Sequence, residues 1–327
     1  MILKLDRDQL AAEVATLDSL LASLPANDYL ARIGLESRRN EINQKLETLA
    51  HVEQRRARIA LYFGGEPVVG SMGVQAGFGT KAVGNFQDLV SKVWGTTGGA
   101  QLSAMGPIPA GAASQLHITS LVHGSFGFLL EELDEEGEPL FESALSKAAD
   151  QVTEYIVSFA GANDARFSEV IEEMNPRVFQ SLREFFGSIY KGKATFRLVE
   201  GVRDERFDRL AVERAWYRAE ASNVDEDRIQ LHGRLLGVIP MRRRFEFEPD
   251  GGATIIEGKV GEKFSQSYLE RINNEQFAGR RWKVLFQKRV VTKAGRQPAE
   301  NYTLLELDEI GRALAQLVNV LRHFRSS

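Results

Sequence analysis

The sequence has no cysteine, only five histidines in 327 residues, and no long apolar run. The lack of cysteine excludes disulfides, thiolate zinc sites and cysteine nucleophiles, and it fits a reducing compartment. No segment approaches the roughly 18 consecutive apolar residues of a membrane-spanning helix. The opening residues, MILKLDRDQL, also lack the apolar centre of a secretion signal. The sequence therefore predicts a cytoplasmic protein that does not contact a membrane.

The common phosphate-binding motifs are also missing, although a glycine-dense stretch, GGEPVVGSMGVQAGFG, occupies residues 64–79. A P-loop requires Gly, four further residues and then Gly-Lys-Ser/Thr, whereas GFGTK has these residues in another order. Gly77, Gly79 and Ala82 fit the letters of a dinucleotide-binding motif, but no acidic residue follows at a strand end, as that motif requires. The glycines predict turns and close backbone contacts instead. No cofactor is expected, and a ligand for residues 64–127 is left open.

Candidate catalytic groups are few. His117 and His123 are six residues apart and would share one face of a strand with Ser125. Nucleophilic catalysis would also need an acid that orients the imidazole, so structural histidines are the simpler interpretation. The acidic run EELDEEGE at residues 131–138 is typical of a solvated turn. Its spacing matches no calcium loop, so it predicts no metal site.

Both ends of the chain carry helical patterns with a narrow apolar seam. The N-terminal seam consists of Leu10, Val14, Leu17, Leu21 and Leu24, and the C-terminal seam consists of Ile310, Leu314, Leu317 and Leu321. Such a seam must pack on the body of the protein, on the other seam, or on another copy of the chain in a homo-oligomer. Together with a second helix over residues 30–56, the first seam predicts a helical hairpin. The C-terminal seam predicts a terminal helix.

Composition and periodicity divide the chain into four segments of an α+β protein. These are a helical hairpin at 1–56, a glycine-rich α+β domain at 57–202, a charged helix or linker at 203–227, and a small β-barrel with the terminal helix at 228–327. Within the second segment, Gly64 and Gly65 lie between two apolar runs, which predicts a β-hairpin turn.

The last segment has the clearest pattern of elements. Three strand-like stretches, one helical stretch and two further strands follow one another between residues 228 and 307. This order is typical of an OB-fold, a small barrel that often binds oligonucleotides, but other small barrels share it. The sequence therefore predicts an OB-like barrel.

Positive charge is concentrated in the same segment. Residues 228–307 contain 15 Lys and Arg against 9 Asp and Glu, although the net charge of the whole chain is −4. Cations neutralise phosphate and aromatic faces stack bases, so cations interleaved with aromatics predict a nucleic-acid surface. The candidate cations are Arg242, Arg243, Arg244, Arg280, Arg281, Lys283, Lys288, Arg289, Lys293 and Arg296. An acidic surface on another protein, or on the acidic remainder of this chain, would suit them equally well, and the interleaved aromatics would fill the barrel if they alternate inward.

A short motif in this segment resembles a nuclease family. PDGGATIIEGKV places Asp250 after Pro249, followed by Glu257 and Lys259, and this resembles the PD-(D/E)xK nucleases. The resemblance implies two carboxylates that hold a divalent metal and a lysine that polarises the attacking water. The Asp-to-Glu gap is short, and Asp250-Gly251 is typical of a hairpin turn. Alternating outward positions on an antiparallel strand pair explain the same charges.

These patterns support three hypotheses of function. The first is a non-enzymatic protein whose barrel binds nucleic acid. The second is a protein-interaction or scaffold component of a multi-protein bacterial system, such as phage defence, that oligomerises through the terminal seams. The third is a metal-dependent nuclease. The sequence does not decide between DNA, RNA and protein as the partner.

Overall fold

A computed structural model describes residues 3–25, 28–50, 55–97, 114–122, 126–133, 141–251, 254–274, 280–293, 295 and 297–309. The chain is an α+β protein that divides into two compact units, Met1–Glu220 and Ala221–Ser327. The first unit contains a helix pair and a mixed α/β middle, and the second contains a ring of five strands. The boundary falls inside residues 203–227, so the helix pair and the glycine-rich segment share one unit.

The helices and strands are as follows. In the first unit the described helices are α1 (Leu3–Ser23), α2 (Tyr29–Ala50), α3 (Ala76–Thr97), α4 (Ala144–Ala160), α5 (Asp164–Glu173), α6 (Pro176–Lys191) and α7 (Arg209–Glu220). Its described strands are β1 (Arg58–Gly65), β2 (Val68–Val69), β3 (Gly73–Val74), β4 (His117–Val122), β5 (Phe126–Glu131), β6 (Ala194–Glu200) and β7 (Arg203–Phe207). The second unit contributes β8 (Ser222–Ile239), β9 (Arg244–Pro249), β10 (Ile256–Val260), α8 (Gln266–Asn274), β11 (Arg281–Lys293) and β12 (Ala299–Glu309).

The N-terminal helix pair is confirmed. Helices α1 and α2 are joined by ion pairs between Arg38 and Glu13 at 2.9 Å and between Arg39 and Asp18 at 3.2 Å. The predicted seam is the more buried side of α1, with Leu17 buried and the other four members half-buried. The seam residues of α1 are therefore already partly covered within the chain. The C-terminal seam, at residues 310–321, lies outside the described residues.

A five-stranded antiparallel sheet, in the order β4-β5-β1-β6-β7, forms the centre of the first unit. Because side chains alternate along a strand, the central strand β1 presents Tyr62 to one face and Phe63 to the other. Tyr62 belongs to a small buried cluster against which Leu5 of α1 packs. Phe63 meets Phe78 of α3 edge-on, with ring centroids 5.3 Å apart. Helices therefore cover both faces of this sheet.

The predicted hairpin turn at Gly64 and Gly65 is wrong. Strand β1 continues through Gly65 and pairs with β5 and β6, while the following apolar run pairs only within itself, as β2 with β3. Gly65 has φ +88°, and a Cβ there would lie 2.5 Å from the carbonyl oxygen of Lys193. Gly77 and Gly79 lie at the start of α3, where Gly79 allows close contact with Val74. Gly65 and Gly79 thus permit close packing, as the sequence predicted, whereas a Cβ at Gly77 would meet nothing within 4 Å.

The charged segment at 203–227 consists of β7, α7 and the start of β8. In α7, Arg218 donates hydrogen bonds to the carbonyls of Phe159 and Gly161, at 2.8 and 2.7 Å, and Arg214 donates to the carbonyl of Ala160 at 2.5 Å. The last carbonyls of a helix lack partners within it. These two cations therefore satisfy the end of α4.

The five strands of the second unit close into a ring in the order β10-β12-β11-β8-β9, with β9 and β10 paired. Strands β10 and β12 are parallel, and the other neighbouring pairs are antiparallel. The interior is apolar, and Leu269 and Ile272 of α8 join it. Gly258 lets two strands approach, because a Cβ there would lie 2.1 Å from the carbonyl oxygen of Tyr302. The predicted terminal helix lies outside the described residues.

Candidate nucleic-acid interface

The nine predicted cations that the structure describes lie in two parts of the second unit, a turn and a strand. Arg242, Arg243 and Arg244 lie at the connection from β8 to β9. The remaining described cations lie on β11 or, for Arg280, directly before it, namely Arg280, Arg281, Lys283, Lys288, Arg289 and Lys293. Arg296 lies outside the described residues. These two groups have different electrostatic surroundings.

Three cations of β11 are paired with acids of the same unit. Arg281 forms an ion pair with Asp250, Lys288 pairs with Glu300 at 2.7 Å, and Arg289 pairs with Glu226 at 2.9 Å. Strands β8 and β12 both pair with β11 in antiparallel register. Arg289 of β11 lies directly opposite Glu226 of β8. Arg280 and Lys293 also interact within the chain. Most of the predicted cationic strand is therefore neutralised or engaged internally.

The Lys288–Glu300 pair shows this neutralisation in both partners. The hydrogen bond to Glu300 raises the pKa of Lys288, and the same hydrogen bond lowers the pKa of Glu300. Both shifts favour the charged forms. The phenol of Tyr302 adds a second hydrogen bond to Glu300, at 2.7 Å. Lys288 is consequently held along the sheet by an internal partner.

The turn between β8 and β9 is anchored by its middle arginine. A single 3-10 turn at Pro240–Arg242 precedes Arg243, whose backbone is left-handed with φ +48°. Its guanidinium donates hydrogen bonds to the carbonyls of Gly261 and Phe264, at 2.6 and 3.0 Å. Its own carbonyl accepts a hydrogen bond from the amide of Val260 at 2.8 Å. Arg243 thus ties the turn to the chain that follows β10.

The two neighbours of Arg243 point away from the protein. Arg242 and Arg244 are exposed, and neither has an acidic partner within the described part of the chain. On the paired strands, Arg244 lies opposite Lys259, which is also exposed but already interacts within the chain. Phe245 and Gly258 are buried, and the next outward pair on this face is acidic, Glu246 opposite Glu257. The exposed cations are therefore concentrated at the arginine-rich turn and at the adjoining end of the β9–β10 surface, which we call the turn patch.

Lys263 is a member of the turn patch that sequence reasoning missed. It lies in the short connection from β10 to α8, between the two carbonyls that Arg243 binds, and it is exposed. Its neighbour in the chain, Glu262, is exposed as well, so the local sequence shows no cluster of cations. Contacts of Arg243 with Val260, Gly261 and Phe264 bring this part of the chain beside the turn.

The predicted aromatic stacking platforms are absent from the surface. Phe245, Phe247, Trp282 and Phe286 are all buried in the interior of the ring. The aromatic pair nearest the turn patch is Phe264 and Tyr268, whose rings stack on each other at 5.8 Å. Arg271 lies over the ring of Tyr268. The turn patch therefore offers charge for phosphates, with little aromatic surface for bases.

The residues of the nuclease-like motif have separate positions and partners in the structure. Asp250 lies on a turn and pairs with Arg281. Glu257 and Lys259 are outward residues of β10, and Glu257 lies opposite Glu246 in the register, so the directly opposed charges are alike. Among the described residues, no group of three or more His, Asp or Glu side chains could hold a metal ion.

In the first unit, a buried polar cluster has the composition of a Ser–Lys nucleophile pair. Lys92 donates hydrogen bonds to Asp88 at 2.7 Å and to Ser181 at 2.6 Å, and it links α3 to α6. Ser181 is fully buried, at 0% exposure, so a substrate has no access to its hydroxyl. The cluster is a structural link between two helices. Of the predicted histidine group, His117 is exposed on β4, and residues 123 and 125 lie outside the described residues.

One buried acid of the first unit has a strongly shifted pKa. Glu200, at the end of β6, is only 6% exposed. Burial, reinforced by the negative charge of Asp150, raises its pKa to about 7. Arg203 opposes the shift, but this arginine also pairs with Asp150 at 3.0 Å. The compensation of Glu200 is therefore incomplete.

Comparisons with protein-family models, with curated proteins and with solved structures found no match to this chain. Within the described ranges, no helix has the length and apolar character needed to cross a membrane. The geometry of the two units is therefore the basis for a functional assignment.

Proposed function

We propose that the second unit is a non-enzymatic binding module that holds the phosphate backbone of a nucleic acid at the turn patch. The observation that carries this proposal is the position of Arg243. Its side chain binds the carbonyls of Gly261 and Phe264, while Arg242 and Arg244 remain exposed on either side. A pre-organised turn with outward guanidinium groups suits phosphate, which arginine binds through two parallel hydrogen bonds.

The strand order supports an OB-like barrel as the scaffold of this site. The ring follows the order of an OB-fold, with a helix between its third and fourth strands and a parallel pairing between its third and fifth strands. OB-folds bind oligonucleotides on the face of their second and third strands and on the loop between the first and second strands. The turn patch occupies the equivalent places, namely the β9–β10 surface and the β8–β9 turn.

The composition of the turn patch predicts the character of the binding. Its cations that are available to a ligand are Arg242, Arg244 and Lys263, since Lys259 already interacts within the chain, and the nearby aromatic rings are packed against the core or against each other. Contacts to phosphate carry no sequence information. We therefore expect sequence-independent binding of a single strand, with a dissociation constant of about 10⁻⁴ to 10⁻⁶ M at physiological salt.

Fluorescence anisotropy with labelled single-stranded oligonucleotides tests this proposal. The Arg242→Gln/Arg244→Gln variant should bind about tenfold more weakly than the wild type, because two charge-assisted contacts are lost. Arg281→Gln/Lys283→Gln is the matched control, since it removes the same charge from the exposed end of β11. The control should bind nearly as well as the wild type.

Two outcomes would overturn the proposal. One is a control variant that loses as much affinity as the turn variant, which would show that only net charge matters. The other is a wild-type protein that does not bind the oligonucleotide at all. Incubation with magnesium or manganese before electrophoresis completes the test, because cleavage that Glu257→Ala abolishes would favour the nuclease hypothesis instead.

A further inference from the structure

A small cationic pocket lies in the first unit, where the end of α6 meets β6 and the start of α7. Its volume is about 230 Å³. Its lining residues are Tyr190, Lys191, Lys193, Ala194, Arg209, Val212 and Glu213. That volume suits a small molecule and is below the range of about 300–1,000 Å³ typical of drug-sized ligands.

Three of the lining side chains are cations, and two of them have acidic partners. Lys193 pairs with Glu66 at 2.9 Å, with both side chains more than half exposed. Arg209 pairs with Glu213 at 2.9 Å, where the arginine is 70% exposed and the acid, which also lines the pocket, is 29% exposed. Exposed ion pairs contribute little free energy. An anion that carries two charges can therefore compete with Glu66 for Lys193 and can bind the exposed guanidinium of Arg209.

The third cation is held in place by aromatic rings. The ammonium of Lys191 lies 5.5 Å from the centre of the Trp216 ring. Trp216 stacks on Tyr190 at 5.6 Å, and the hydroxyl of Tyr190 is 3.0 Å from that of Tyr217. Rigid aromatic support limits the freedom that the lysine would otherwise lose on binding. The tyrosine hydroxyl can also donate to a ligand oxygen.

The backbone around the pocket is unusual at one residue. Lys193 has a left-handed conformation with φ +49°, which is uncommon for a residue with a side chain. Such strain persists where surrounding structure fixes it and is found at binding sites. The N-terminus of α7, by contrast, is already capped, because the carboxylate of Asp208 accepts a hydrogen bond from the amide of Ala211 at 2.8 Å.

We propose that this pocket binds a small phosphate-bearing molecule of about the size of pyrophosphate. Three cations and a tyrosine hydroxyl line a volume of about 230 Å³ that admits one or two phosphate groups. The site belongs to the first unit alone, and it does not depend on the function proposed for the turn patch.

Isothermal titration with pyrophosphate, on the full chain at constant ionic strength, tests the proposal. Lys193→Asn/Arg209→Gln removes two cations, and asparagine tolerates the left-handed conformation at position 193. This variant should bind at least about tenfold more weakly than the wild type. The control, Lys45→Gln/Arg166→Gln, removes two other exposed, ion-paired cations of the same unit and should bind like the wild type.

Further arms of the titration identify the ligand class and the site. Citrate, an anion without phosphate, should bind more weakly than pyrophosphate, and equal binding would contradict the phosphate assignment. Arg242→Gln/Arg244→Gln should leave pyrophosphate binding unchanged, whereas loss of binding in that variant would place the anion at the turn patch instead. No heat from the wild type, or equal affinity in the pocket and control variants, would overturn the proposal.

Discussion

Two groups of cations in the second unit are both rich in arginine but have different surroundings. On β11, Arg281, Lys288 and Arg289 each have an acidic partner within the unit. At the turn between β8 and β9, Arg243 binds backbone carbonyls, and its neighbours Arg242 and Arg244 remain exposed. A run of cations in a sequence is therefore not in itself a positive surface, because strand register decides which acids lie beside it.

The turn differs because Arg243, which fixes it, is bound by backbone carbonyls and not by an acidic side chain. Carbonyl groups of Gly261 and Phe264 satisfy the guanidinium of Arg243 without cancelling its charge. The turn patch thus retains its positive charge while its backbone is fixed. The predictions that follow separate charges that support the fold from charges that are available to a partner.

The largest expected effect on stability is at Glu200, a buried carboxyl group whose negative charge is only partly compensated. The pKa of Glu200 is raised from 4.5 to about 7, so the folded state binds the proton more tightly than the unfolded state. The stability associated with this proton is fully present below pH 4.5 and is lost as the pH rises through 7. Glu200→Gln, which stays neutral, should therefore be more stable than the wild type by up to about 3 kcal/mol at pH 8.

Urea unfolding at several pH values measures this difference, which should vanish near pH 4. The exposed Glu220 provides a control, since Glu220→Gln should follow the wild type at every pH. If Glu200→Gln were less stable than the wild type at pH 8, the ionised carboxylate would have to be well compensated, contrary to the geometry.

The next effect concerns a well-paired cation of β11. Arg289→Met leaves Glu226, whose side chain is 13% exposed, without its partner at 2.9 Å. An uncompensated, mostly buried carboxylate should lower the free energy of unfolding by about 2 kcal/mol. Adding Glu226→Gln should recover much of this loss. A loss below about 0.5 kcal/mol in urea unfolding would mean that this pair does not support the fold.

A smaller effect is expected for the more exposed pair on the same strand. Lys288→Gln should lower stability at pH 7 by about 0.5 kcal/mol, because Glu300 is nearly half exposed. The pKa of Glu300 is lowered by its hydrogen bond to Lys288, so the contribution of the pair is present above the ordinary pKa and is lost as the pH falls. Thermal melts should therefore show a difference at pH 7 and none near pH 3.

The smallest stability effect is expected at the turn. Arg242→Gln/Arg244→Gln should change the free energy of unfolding by less than about 0.5 kcal/mol, as is usual for surface substitutions. Arg243→Gln should be clearly destabilising by comparison, because it leaves the two carbonyls without their donor. If the two variants had equal unfolding curves, Arg243 would contribute no more to the stability of the turn than the exposed Arg242 and Arg244.

Apolar periodicity predicted much of the fold. The helix pair and the order of three strands, one helix and two strands are present, since burial of apolar faces imposes these patterns. Strand pairing was harder to predict from the sequence, because Gly64 and Gly65 match the local pattern of a hairpin turn while β1 pairs with strands that are distant in sequence. Local turn signals do not contain the register of distant partners.

The candidate site was predicted only in part, for a similar reason. The three arginines of the turn were recognised from their charge, but the internal partners of Lys288 and Arg289 come from other strands. Lys263 was missed, because it is related to the turn only by contacts between Arg243 and residues 260–264, which are distant in sequence. Contacts between side chains that are distant in sequence determine which charges remain available.

The salt dependence of oligonucleotide binding tests the central claim most directly. Each phosphate contact on a single strand contributes about 0.7 to the slope of log K against log salt concentration. Arg242→Gln/Arg244→Gln should therefore reduce the slope by about 1.4, whereas Arg281→Gln/Lys283→Gln should leave it nearly unchanged. A wild-type slope in the turn variant, or a larger reduction in the β11 variant, would contradict the assignment of phosphate binding to the turn patch.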